Sequence, residues 1–297
     1  MDDDAADTTD PAAGHRRRFA EEARSERPDL ALLCLLLGAV AADATADDTA
    51  TADAGADAAV GAAVDAAQIE LDRLAGLLPY GLRTPHAWAT ALERLLGGEL
   101  GFHGTPADYR LLESSLLQEV LRRRRGLPIL LSVVWVEVAR RAGAPVYGVA
   151  LPGHFVVGFG EPEEQVLADP FAGGGVLSPD AASALVAGAT GAPIDPSVLS
   201  PAPTLDVIIR ILNNIRAWAT ARPERTDVGL WSVELSLLLP AHPARLRFER
   251  AQLLVQRGEF LRGADEMDAY ADVVAAVEPS TAEAVRGRAR AARAMLN

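Results

Sequence analysis

Between Leu127 and Asp169 the spacing of apolar residues changes period, and that change restricts the fold more than any other feature of the chain. Leu127, Leu130, Leu131, Val134 and Val138 recur at three- and four-residue intervals, the stripe of a helix running from about Leu127 to Ala142. Pro128 suits its first turn, where no N–H is needed, and Gly143 with Pro145 ends it. Beyond it, Val146 to Leu151, His154 to Phe159 and Val166 to Asp169 read as short strands, with Gly160 to Gln165 as a hairpin connection. A helix feeding closely spaced strands predicts an α+β core in which the central helix packs on a small antiparallel sheet.

Helices flank this core. Phe19, Leu30, Leu33, Leu37 and Val40 give Arg16 to Val40 helical periodicity, with Pro28 opening its second part. Thr84-Pro85 and Thr105-Pro106 are helix starts, an N-cap followed by proline at the first position. The first of these helices carries Trp88, Leu92 and Leu95 and stops at Gly97-Gly98; the second runs to about Arg124. After Asp169 a small Ala-rich helix precedes a Pro-rich stretch, and the chain is helical again from Leu205. Ala244 to Gln256 and Glu259 to Val277 form an antiparallel pair turned at Gly258, and Ser280-Thr-Ala-Glu283 is a capping box for the last helix. The expected organisation is a disordered acidic tail over 1–14, a core domain over 15–192, a linker over 193–204 and a helical region over 205–297. Inside the core domain, residues 41–63 are nearly all Ala, Asp, Thr and Gly and are expected to form a low-complexity loop insertion.

Composition narrows the function classes. The net charge is -13, so nucleic acid and anionic membrane are disfavoured as partners. The longest apolar run, Ala31 to Val40, is half of the ~20 residues a membrane span needs. Every basic side chain of the lysine–arginine class is Arg, which with the abundance of Ala points to a GC-rich bacterial genome. Cys34 is the single cysteine, and Met1-Asp-Asp-Asp lacks the pattern of a signal peptide, so a cytoplasmic protein is expected. His15, His86, His103 and His242 form no ligand spacing with one another or with Cys34, and neither metal nor cofactor is expected. Gly173, Gly174 and Gly175 match no phosphate loop. The Arg122 to Arg125 run sits at a helix end, where positive charge is favoured anyway.

The hairpin carries the candidate chemistry. If Phe159 faces Val166, then His154 and Asp169 become diagonal neighbours on one face. An imidazole oriented by a carboxylate is the base half of a nucleophilic triad. A thiol nucleophile gains from a helix N-terminus, and Pro128 stands there instead. Ser132 lies one turn deeper on the same face, where the simplest role for its hydroxyl is a bond to a carbonyl one turn earlier. Cys34, within Leu32-Leu-Cys-Leu-Leu-Leu37, reads as a small buried hydrophobe.

The run Gly126-Leu-Pro-Ile-Leu-Leu-Ser132, Arg140-Arg-Ala-Gly143, Gly148-Val-Ala-Leu-Pro-Gly-His-Phe155, Ala168-Asp-Pro-Phe171 and Gly173-Gly174 resembles the SirB-type bacterial transglutaminase-like family, also called transglutaminase core domain 2. The resemblance covers roughly Leu95 to Ser178, and Leu100-Gly-Phe-His-Gly104 and Tyr109 share it. It implies a papain/transglutaminase-like core followed by tetratricopeptide-like helices. It also implies that His154 is the triad histidine, that Asp169 is the triad acid, and that the triad cysteine aligns with Pro128, a loss the family shares. An Asn-Ser pair of the family becomes Ser114-Ser115 here. Ala251, Gly258, Phe260 and Gly263 resemble a tetratricopeptide hairpin.

Two functions follow as expectations. One is a non-catalytic transglutaminase-like module, a pseudoenzyme that binds a protein or peptide through its helical C-terminal region. The other is an amide-bond hydrolase or acyltransferase using Ser132 with His154 and Asp169. A purely structural His154–Asp169 hydrogen bond is the third possibility.

Overall fold

The structure, a computed structural model, describes residues 11–46 and 54–296. Most of the expected acidic tail and residues 47–53 of the expected insertion lie outside the described residues. Among the described residues, α1 (Pro11–Ala23), α2 (Leu30–Ala46), α3 (Ala54–Ala75), α4 (Pro85–Leu92) and α5 (Leu117–Arg123) precede the central helix. The central helix is α6 (Pro128–Arg141), followed by β1 (Val146–Val149), β2 (Val156–Phe159), β3 (Val166–Asp169) and β4 (Gly175–Leu177). The four strands form an antiparallel meander in chain order. A mostly helical chain thus wraps one small sheet, an α+β architecture with a transglutaminase-like core.

Several local expectations need correction. The region read as a loop is helical up to Ala46 and again from Ala54, and α1 begins at Pro11 inside the expected tail. Alanine leads the helix scale, so small side chains did not prevent a helix. α3 then buries Val64, Ala67, Leu71 and Leu74 against the core. The helix expected from Thr105 is instead two short 3-10 turns, Pro106–Arg110 and Leu112–Ser115, ahead of α5. Asp108 causes this: its buried carboxylate accepts from the Thr105 N–H at 2.8 Å and from Arg125 at 2.7 Å, winding the chain tightly around an inward charge. Burial alone would raise the Asp108 pKa, but the Arg125 and Thr105 donors outweigh it and hold the carboxyl below its ordinary range. α4 starts as read, with the Thr84 hydroxyl accepting from the Ala87 N–H at 3.2 Å, and then widens into a π-turn over Glu93–Glu99.

α6 is buried from Pro128 through Ala139, on all sides rather than along one stripe. Its Trp135 meets Phe102 edge-on, with ring centroids 6.2 Å apart. β4 was missed. It follows Gly173 and Gly174, both at positive φ, and a Cβ on Gly174 would lie 2.9 Å from the Trp135 ring. These glycines therefore turn the chain and let it pass against the indole.

After α7 (Pro179–Thr190), the Pro-rich stretch packs onto the sheet instead of spanning open space. Pro201 bridges Val149, the Ala202 N–H donates to Gly148 O at 2.8 Å, and Val198 and Leu199 rest against Val149, Leu151 and Val156. α8 (Thr204–Thr220) and α9 (Thr226–Leu238) bury Ile208, Ile211, Leu212, Ile215, Trp231 and Leu235 in the same core as α6. A separate small core of Ala251, Ala264, Met267, Ala271, Val285 and Ala289 joins α10 (Arg245–Gln256), α11 (Phe260–Val274) and α12 (Pro279–Ala294). The packing boundary thus falls after α9 rather than at residue 204. A Cβ on Gly263 would lie 2.8 Å from Ala251 O, so these small residues let α10 and α11 approach closely. The expected Ser280 capping box does not form, because Pro279 takes the first helical position and Ser280 falls inside α12. Among the described residues no helix is long and apolar enough to cross a membrane.

Candidate functional site

The register of the hairpin decides what meets. Phe159 pairs with Val166 and Val157 with Ala168, the register under which His154 and Asp169 become diagonal neighbours. His154 stands in the turn before β2, which Gly153 enters at φ 73°. Asp169 ends β3. His154 Nε2 and Asp169 Oδ1 are 3.0 Å apart, and the two side chains are 12% and 9% exposed. Asp169 Oδ1 also accepts from the Phe171 N–H at 3.0 Å, which fixes the carboxylate over the following turn. With Nε2–H donating to Asp169, a neutral ring presents Nδ1 as an acceptor, and Nδ1 makes no hydrogen bond among the described residues.

Phe171 stands at the centre of the site. Its ring meets His154 edge-on at 5.9 Å and Tyr109 at 6.0 Å. It fits because residue 104 is glycine: a Cβ there would sit 2.0 Å from the ring and 2.8 Å from Gly126 O, just ahead of α6. Tyr109 is half exposed. Burial pushes its hydroxyl pKa up, with the Arg210 charge opposing and the Asp169 charge adding.

Among the described residues, the positions singled out for a nucleophile do not join His154. Pro128 occupies the first position of α6. Ser132 is fully buried and donates to Phe155 O at 3.2 Å, not to a carbonyl of its own helix. That bond ties α6 to the turn carrying His154, and no hydrogen bond joins Ser132 to His154 among the described residues. Cys34 is buried in α2, where desolvation pushes its thiol pKa far up, so it remains protonated. Ser114 and Ser115 are buried too, and Ser114 faces Asp108 at 3.4 Å.

Arg210 of α8 is a site residue that sequence reasoning missed. Its Nη2 donates to Leu151 O at 2.9 Å and His154 O at 2.7 Å, and its guanidinium lies 5.6 Å from the Phe155 ring centre. The signal was present: a lone Arg between Ile208-Ile209 and Ile211-Leu212, charged on a helix whose neighbours are buried. His103 and His242 bond backbone carbonyls two and three residues away, and His15 bonds Asp43. Among the described residues no group of three His, Cys, Asp or Glu side chains could hold a metal ion.

Known proteins align with this architecture. A family model of the transglutaminase-like superfamily matches residues 59–213, and a tetratricopeptide repeat model matches 215–297. A UPF0162 protein of Xylella fastidiosa (strain Temecula1) is 33% identical over 186 residues, covering 61% of this chain and 66% of that protein. A UPF0162 protein of Vibrio cholerae is 29% identical over 188 residues, covering 61% of this chain and 69% of that protein. F-box only protein 21 of Mus musculus is 33% identical over 81 residues, only 13% of its length. The first match spans more than half of the chain and contains α6, the sheet, His154 and Asp169, so the chain belongs to the transglutaminase-like superfamily and carries a tetratricopeptide-like helical tail.

Proposed function

We propose that this chain is a non-catalytic transglutaminase-like protein, a binding or regulatory module for a protein or peptide. What supports this reading is what stands at the expected nucleophile positions. His154 and Asp169 meet at 3.0 Å, while Pro128 stands at the start of α6 and Ser132 is spent on Phe155 O. A base without a nucleophile can still accept a hydrogen bond from a ligand, and the exposed Tyr109 beside it adds a large contact surface. The helical tail supports the same reading, because stacked helix pairs present extended binding surfaces. The cytoplasm and a bacterial source fit this role.

The alternative is an amide-bond hydrolase or acyltransferase in which Ser132 turns from Phe155 O toward His154. The oriented imidazole favours it, since hydrogen bonds at apo sites can tighten only with substrate. Intact-mass analysis after incubation with a fluorophosphonate separates the two. The binding reading expects no adduct. A one-to-one adduct that disappears in both Ser132→Ala and His154→Ala overturns it.

A further inference from the structure

Along one face of α8, Arg210, Asn214 and Trp218 recur every fourth residue, and Arg222 continues the row just past the helix end. From Arg210 to Arg222 this row spans about 18 Å at 1.5 Å per residue. Tyr109, Arg110 and Leu111 run beside it. The Trp218 indole N–H donates to Arg110 O at 3.0 Å, and Arg222 donates to the same oxygen at 3.3 Å. The Arg222 guanidinium lies 4.2 Å from the Trp218 ring centre. At the other end Arg210 holds the His154 turn. Tyr109 is 51% exposed and Leu111 40%, and beside them Arg210, Asn214, Trp218 and Arg222 are each half-buried, so the row presents its edge to solvent and ends at the backbone of the His154 turn.

Its charge is uncompensated. Among the described residues Arg110, Arg210 and Arg222 have no carboxylate partner, whereas Arg225 nearby pairs with Asp227 and Arg125 with Asp108. Tyr, Trp and Arg are also the side chains that dominate binding energy at protein interfaces. We infer that this row is a docking surface for an acidic, partly apolar peptide segment of a partner protein, lying extended along α8 toward His154. This names the partner class of the module proposed above and rests on that reading. The chain's net charge of -13 selects among anions. A short peptide meets mainly the local guanidinium groups within a Debye length of about 8 Å, whereas a nucleic acid or an anionic bilayer meets the repulsion of the whole surface.

Fluorescence anisotropy on the full chain tests this, with a fluorescein-labelled peptide of alternating Glu and Leu as probe and its Lys–Leu counterpart as control. The Glu–Leu peptide is expected to bind, and Arg110→Glu combined with Arg222→Gln to weaken it about tenfold or more, near 1.4 kcal/mol. Arg17→Glu with Arg18→Glu, exposed on α1, leaves the affinity unchanged. Absence of Glu–Leu binding, equal binding of the Lys–Leu peptide, or an affinity indifferent to Arg110 and Arg222 each overturns the assignment. So does tighter binding of single-stranded DNA or phosphatidylserine vesicles through the same arginines. Circular dichroism of the variants excludes unfolding as the cause of a loss. A fluorophosphonate adduct, by contrast, would end the non-catalytic reading without changing peptide affinity, so the two failures are separable.

Discussion

His154 and Asp169, fifteen residues apart in sequence, meet at 3.0 Å because β2 and β3 pair in the register that sets Phe159 opposite Val166. The pairing has supports on every side. Arg210 grips the carbonyls of Leu151 and His154, Ser132 grips that of Phe155, and the Phe171 N–H holds the carboxylate. A one-residue slip would send the two side chains to opposite faces of the sheet. The site is therefore built to hold an imidazole in one orientation, and among the described residues neither Ser132 nor Cys34 hydrogen-bonds to it.

Asp169→Ala removes the acceptor of both the imidazole and the Phe171 N–H. Because the group is nearly buried, the expected cost is about 1–3 kcal/mol, read as a lowered urea midpoint with an unchanged slope.

Ser132→Ala leaves Phe155 O without its side-chain donor. A loss of about 1 kcal/mol is expected in the same assay. Peptide binding at the α8 row remains at its wild-type value, because Ser132 is fully buried and touches no ligand surface.

Gly104→Ala drives a methyl group into the Phe171 ring, 2.0 Å away. Gly126 O on the other side blocks escape, so the ring must move and release its contacts with His154 and Tyr109. Destabilisation of about 1–3 kcal/mol is expected, with broadened His154 and Tyr109 ring resonances by NMR.

Cys34 is expected to resist iodoacetamide in the folded protein at neutral pH and to react fully in denaturant, since burial raises its thiol pKa and excludes reagent. Fast labelling of the native chain would contradict the packing of α2.

Glu137 sets a pH dependence. Burial raises its pKa above the ordinary 4.5, against the pull of Arg140 at 2.8 Å. The folded state thus holds this proton more tightly than the unfolded state, and stability is lost as pH rises from the unfolded value through the raised folded one. Urea midpoints of wild type relative to Glu137→Gln are expected to fall across that window as pH increases.

Much of this was legible in the sequence because it depends on local signals. The α6 stripe, the Thr84-Pro85 start and the alternation around Gly160 to Gln165 each act within one element or one hairpin, and they sufficed to bring His154 and Asp169 together. What was not legible depends on contacts between distant segments. Asp108 breaks a helix signal because Arg125 lies against it in the fold. The Pro-rich stretch becomes a sheet edge because Val149 offers an open strand. Arg210 joins the site across more than fifty residues, and Ser132 finds its acceptor on another element rather than on its own helix. Alanine misled in the other direction, since a segment too small-sided to make a core can still extend a helix that has one.

Stopped-flow hydrolysis of p-nitrophenyl acetate tests the proposed non-catalytic reading most directly, because an acyl-enzyme betrays itself as a burst of nitrophenolate. Wild type is expected to show no burst and the same slow linear release as Ser132→Ala. A burst equal to the protein concentration, lost in both Ser132→Ala and His154→Ala, would show that the imidazole serves a working nucleophile and that the chain is an enzyme.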